Sequence, residues 1–156
     1  MASKPMPIIG GCLCKAVRYE ASGPPSKGAY CHCDLCKKSY GGLFMAGLGF
    51  KASEFQFVQG TLKYHRSSDI AQRGCCADCG SPLVFVFDGD DEVWMLLGSL
   101  DDPEAWPLTK DATWGLIAHT QTARKISWYA LSDGVQQWAG APFQEEALAR
   151  ASEHKP

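Results

Sequence analysis

The chain has 156 residues, 46% of them hydrophobic, which suits one domain with a buried core. Its formal net charge of −2, with no long charge block, argues against a nucleic-acid partner, and no apolar run is long enough to span a bilayer. The opening residues, Met1 to Pro7, lack the apolar stretch of an export signal, so a reducing cytoplasm is the expected setting. Eight cysteines are the outlier. Their short spacings, in such a setting, suit metal ligation better than a disulfide framework.

Taken in chain order, the pattern is mostly strand, and we read one domain over residues 1–156 with its core over about 8–140. Residues 15–21 alternate, with Val17 and Tyr19 on one face and Arg18 and Glu20 on the other. Gly23-Pro24-Pro25-Ser26 breaks that strand. Residues 43–50 are apolar and glycine-rich, the signature of a buried strand with close backbone neighbours. Phe55 and Phe57, then Leu62 and Tyr64, predict two strands around Gln59-Gly60-Thr61. Residues 83–87 and 93–97 predict a β-hairpin, because the intervening Asp88-Gly89-Asp90-Asp91 supplies the positive φ of a tight turn. Asp102-Pro103-Glu104 reads as a cap and first turn of a short helix. Short strands are expected at 114–118 and 126–129. A terminal helix is expected over 143–151, with Phe143, Ala147 and Leu148 facing inward.

Two cysteine groups emerge. Cys12 and Cys14 lie two apart, so on an extended segment they share a face. Cys76-Ala77-Asp78-Cys79-Gly80 is a knuckle whose two-residue gap turns both sulfurs inward. Together Cys12, Cys14, Cys76 and Cys79 make a closed tetrahedral set for a structural zinc. The competing reading of C-x-x-C as a redox pair expects a helix after the motif, whereas Gly80-Ser81-Pro82 and a strand follow here. Cys75, adjacent to a ligand, should point the other way as a structural thiol.

Cys31-His32-Cys33-Asp34-Leu35-Cys36 is the second group. Cys31, Cys33 and Cys36 form three corners of a tetrahedron, and a zinc site with three protein ligands keeps an exchangeable fourth position, as catalytic sites do. The thiolate-rich shell suits exchange with another thiol. The alternative is a closed site completed by His32, His65 or His119, and a partly occupied site is a further alternative. His32, set between two ligands, is expected to face away.

In this order, Gly11-Cys12-Leu13-Cys14, Cys31-His32-Cys33-Asp34-Leu35-Cys36-Lys37-Lys38 and Cys76-Ala77-Asp78-Cys79-Gly80-Ser81 resemble the glutathione-dependent formaldehyde-activating enzyme family, which also includes centromere protein V. His119 and the run from Trp128 to Gly134 are similar to its C-terminal pattern, so the resemblance spans roughly residues 8–140. It implies a mainly β fold, a twisted antiparallel β-tent with short helices. It also implies structural zinc at Cys12, Cys14, Cys76 and Cys79, and catalytic zinc at Cys31, Cys33 and Cys36. The activity it implies is carbon–sulfur lyase chemistry on S-hydroxymethylglutathione. Cys75 stands where the family usually has an aromatic residue.

The expected partner is a small thiol such as glutathione, whose two carboxylates call for a cationic rim. Lys37, Lys38 and Arg73 are the candidates, although each also reads as a solvated surface charge. His119 is either a substrate-orienting group or a core histidine, and Phe44, Tyr64 and Trp94 read as core. The rival from another class is a zinc-binding interaction module in which both metals are structural. Four protein ligands on both metals, with a broad exposed apolar patch, would mark that module.

Overall fold

The computed structural model describes residues 6–145. Among these, the strands are β1 (Ile8–Gly11), β2 (Arg18–Ala21), β3 (Lys27–Cys31), β4 (Met45–Lys51), β5 (Phe55–Gln59), β6 (Leu62–Ser68), β7 (Ala71–Cys76), β8 (Pro82–Phe87), β9 (Glu92–Leu96), β10 (Leu116–Thr120) and β11 (Gln136–Gln137). One helix, α1 (Asp34–Tyr40), interrupts the run between β3 and β4. No helix among the described residues is long and apolar enough to cross a membrane.

The strands form a three-stranded sheet, β1-β2-β5, and an eight-stranded sheet, β11-β10-β3-β4-β9-β8-β7-β6. Their apolar faces meet. Ile8, Val17, Tyr19 and Ala21 of the small sheet and its lead-in join Leu48, Phe50, Leu83, Val84 and Met95 of the large one in a single core. The alternation read at Val17 and Tyr19 is therefore the alternation of a half-buried strand. Both are 1% exposed, while Arg18 and Glu20 are partly exposed. At Gly60 the chain passes from the small sheet to the large one. Its φ of 75° and its approach to the Ala16 carbonyl, only 2.2 Å from where a Cβ would sit, admit glycine alone.

The fold is mainly β, as expected, with three local differences. At one edge of the large sheet, β10 pairs with β3 in parallel, and so does β11 with β10. Residues 126–129 are a turn, closed by the Tyr129 amide donating to the Ile126 carbonyl, and no strand forms there. The segment after Pro103 is a single 3-10 turn, Pro103–Ala105, to which Asp102 gives no side-chain cap. The predicted hairpin is present as β8 and β9, in antiparallel register with Phe85 opposite Trp94 and Gly89 at φ 71°. Helical backbone starts at Pro142, with Phe143 buried; most of the expected terminal helix, including Ala147 and Leu148, lies outside the described residues.

Candidate metal centre

The first cysteine group gathers where the two sheets meet. Cys12 and Cys14 come together through a turn and not through strand alternation. The Lys15 amide donates to the Cys12 carbonyl, and Lys15 adopts φ 66° to redirect the chain into β2. The knuckle closes the β7–β8 connection. The Gly80 amide donates to the Cys76 carbonyl, and Gly80 takes the left-handed φ of 73°. The four sulfurs lie within 4.8 Å of one another. Cys12 Sγ is 3.5 Å from Cys14 Sγ, and Cys14 Sγ is 3.8 Å from Cys76 Sγ. A tetrahedral ion with bonds of about 2.3 Å spaces its sulfurs about 3.8 Å apart, so the donor set fits zinc. The Val17 amide donates to Cys12 Sγ at 3.2 Å, and Ser81 Oγ lies 3.1 Å from Cys79 Sγ. Hydrogen bonds from Ser81 pull the Cys79 thiol down to about 6, toward the form a metal takes.

The second group is built on the β3–α1 junction. Cys31 ends β3. Cys33 is the N-cap of α1, its sulfur accepting the Cys36 amide at 3.3 Å. Cys36 sits one turn into the helix, 3% exposed. The three sulfurs again lie within 4.8 Å of one another, and among the described residues no histidine, carboxylate or further cysteine joins them. Hydrogen bonds from Cys31 and Cys36 drive the Cys33 thiol down to about 2, whereas Cys31 and Cys33 push Cys36 upward.

A cavity of about 370 Å³ opens beside this group, with all three cysteines on its wall. Strand alternation explains its lining. The side chains of Ala29, Cys31, Met45, Ala71, Arg73, Phe85 and Trp94 leave the large sheet on the face opposite the small sheet. Gly47 and Gly49 alternate with Leu48 and Phe50 and present no side chain to that face. A Cβ at Gly47 would sit 2.8 Å from Met45 Sδ, so glycine there leaves room for the thioether on that face.

The sequence model of the glutathione-dependent formaldehyde-activating enzyme family matches residues 7–114, most of the chain. The chain belongs to this family. It is also similar to an uncharacterised lyase of Schizosaccharomyces pombe, with 33% identity over 78 residues, covering 50% of this chain and 56% of that protein. It thus spans little more than half the length of that curated relative. A Rhodobacter sphaeroides protein of known crystal structure shares the fold, with a TM-score of 0.51 at 20% identity, over 60% of this chain and 87% of that one.

Of the three candidate cations, one reaches the cavity of this family member. Arg73, 5% exposed, donates to Cys36 Sγ at 3.5 Å and to the Tyr40 hydroxyl at 2.6 Å. Its guanidinium lies 4.9 Å from the Tyr40 ring centre and 5.3 Å from that of Phe85. Burial opposes its charge, but the neighbouring Cys36 sulfur and the Tyr40 hydroxyl outweigh it and hold the pKa above the usual value. Its Nε has no hydrogen-bond partner among the described residues. Lys37 instead donates to the Arg124 carbonyl at 2.6 Å and pairs with Asp34, while Lys38 is exposed; neither lines the cavity.

His119 turns the other way. It lies on β10 opposite Tyr30 of β3, on the face away from the cavity, and stacks on that ring at 4.6 Å. Its Nδ1 is 2.9 Å from His32 Nε2, and its Nε2 is 2.9 Å from the Asp133 carboxylate. His32 is 1% exposed, and burial with the nearby His119 pushes it down to about 4, so it stays neutral near pH 7. This Asp133–His119–His32 chain braces the peptide between Cys31 and Cys33 from behind. Of the three aromatics read as core, Trp94 is buried and also walls the cavity, Phe44 packs on His32, and Tyr64 is 45% exposed. Sequence reasoning missed Phe85, Phe87 and Phe143 as cavity residues. For Phe85 and Phe87 the available signal was their period-two placement on β8, which becomes legible as cavity lining only once the strand order is known; Phe143, expected to face inward from a helix, carried no such signal.

Proposed function

We propose that this chain is a zinc-dependent carbon–sulfur lyase-type enzyme acting on the adduct of a small thiol with a small aldehyde such as formaldehyde. Glutathione is the thiol that the family's description carries. The observation that supports this reading is the position of Cys31, Cys33 and Cys36, three donors without a fourth, on the wall of a cavity. A bound zinc supplies Lewis acidity and lowers the pKa of a thiol beside it. The remaining work falls to the chain. The three cysteines hold the ion, and three thiolates around a dication leave one net negative charge that Arg73 offsets. The apolar walls hold the thiol beside the carbonyl carbon and exclude water. In the forward direction a sulfur lone pair forms the C–S bond, and the carbonyl π pair moves to oxygen. The proton given up by the thiol ends on that oxygen. Cleavage is the reverse. Arg73, on the cavity wall and hydrogen-bonded to Cys36, is suited to offset charge on the oxygen as it develops.

Cobalt-substituted protein tests the reading. Glutathione titration is expected to strengthen the sulfur-to-cobalt charge-transfer bands, and Cys36→Ser to abolish the response. With carbon-13 formaldehyde and thiol, the S–CH2–OH signal is expected to reach equilibrium faster than without protein. Spectra indifferent to millimolar-scale thiols, in protein that holds two metal equivalents, would overturn it in favour of two structural sites.

A further inference from the structure

The cavity's own chemistry narrows the substrate class. Its wall carries four aromatic side chains, Phe85, Phe87, Trp94 and Phe143, in mutual contact: Phe85 edge-to-face with Phe87 at 5.0 Å and stacked on Trp94 at 5.9 Å, and Trp94 tilted against Phe143 at 5.6 Å. Among the described residues Arg73 is the basic side chain on that wall, and it is already engaged by Cys36 and Tyr40. Lys37 and Lys38, which would have met the carboxylates of glutathione, lie elsewhere. A peptide with two carboxylates entering this space would lose water from them without gaining, among the described residues, a matching cation for each, at high cost. An apolar group of ring size would instead exchange water for aromatic contact.

We propose that the thiol partner of this site carries an apolar, ring-sized substituent that seats against Phe85, Phe87 and Trp94, and that the cavity discriminates against glutathione. The proposal rests on the lyase reading above, since it assigns the sulfur of this ligand to the Cys31–Cys33–Cys36 cluster. Arg73, hydrogen-bonded to Cys36, lies at the sulfur end of the ligand. The substituent then fills the aromatic end.

Calorimetric titration of the zinc-loaded protein with benzyl mercaptan and with glutathione tests this without reference to turnover. Benzyl mercaptan is expected to bind more tightly by on the order of tenfold or more, the usual return for burying a phenyl-sized group. Phe87→Ala removes one half-buried wall and is expected to weaken benzyl mercaptan several-fold and glutathione by less, narrowing the difference between them. Leu35→Lys places an ammonium at the cavity rim from a position 48% exposed, where the fold tolerates it, and is expected to narrow the preference by improving glutathione. Equal affinities, or a preference for glutathione in the unaltered protein, overturn the inference and leave the lyase reading standing. Failure of both thiols to bind overturns the lyase reading, and this inference with it.

Discussion

A guanidinium 5% exposed beside a thiol, held between two aromatic rings, is an expensive arrangement unless the thiol carries charge. Arg73 therefore ties the electrostatics of the second cluster to β7, a strand remote in sequence from the cysteines it serves. Its partner Tyr40 ends α1, so one side chain braces both ends of that helix turn against the sheet. Arg73→Leu is expected to lower zinc affinity at the second cluster by about tenfold or more, the usual scale for losing a group that supports metal ligands. Arg73→Lys should recover part of that loss, because charge returns without the planar fork. Competition with a chromophoric chelator reads both. Unchanged affinity in Arg73→Leu would show the cluster indifferent to its neighbour. Cys75 supplies a contrast. Its thiol donates to the Lys63 carbonyl on the adjacent strand at 3.6 Å, and it stands outside the group that Cys76 joins. Adjacency in sequence to a ligand thus carried the information it promised, while the role of Arg73 depended on strand order.

At the scale of elements, α1 and the β1–β2 turn use cysteine in different ways. Cys33 caps α1 through its sulfur, and serine is itself a good N-cap. Cys33→Ser is therefore expected to empty the second cluster while α1 and the fold persist. Cys12→Ser removes a buried ligand, 6% exposed, from the group that links the β1–β2 turn to the β7–β8 knuckle. It should cost much of the stability, because metal binding at such a site is coupled to folding. Thermal unfolding paired with metal analysis checks the pair; equal loss of stability in both variants would make the second cluster structural. The same elements show what could be read in advance. The β8–β9 hairpin and the alternation at Val17 and Tyr19 are local patterns, and each is visible in a window of a few residues. Helix α1 is only seven residues long and starts on a thiol, so it offers neither a sustained 3.6 period nor a familiar cap. The parallel pairing of β10 with β3 joins residues 27–31 to residues 116–120, a contact no local window contains. Both cysteine groups were legible because their spacing is itself the local signal. The cavity was not, because β3, β4, β7, β8, β9 and α1 must all be assembled before its wall exists.

For the molecule as a whole, the two cysteine groups sit in different mechanical positions. The small sheet has strands of four, four and five residues, so its own ladder is short. It is fastened to the rest by the shared core, by Tyr19 Oη with Ser99 at 2.8 Å, by the Arg18–Asp101 ion pair and by the four-cysteine group. The exposed ion pair contributes at most about 1 kcal/mol. Structural zinc can contribute about 10 kcal/mol or more in apparent binding free energy, comparable with the net stability of about 5–15 kcal/mol of an ordinary domain. The second group lies on the far face of the large sheet, where β3, β4, β9 and β8 are paired on both sides. Chelator titration of the proposed two-zinc protein should therefore proceed in two stages. The three-ligand site releases first, with little change in melting temperature. The four-ligand site releases second, with a large fall, and hydrogen exchange should then rise at the amides of β1 and β2 before those of β4, β8 and β9. Simultaneous release of both ions, or exchange that rises first in β4, would place the structural burden on the second site and remove the distinction on which an open, reactive cluster depends.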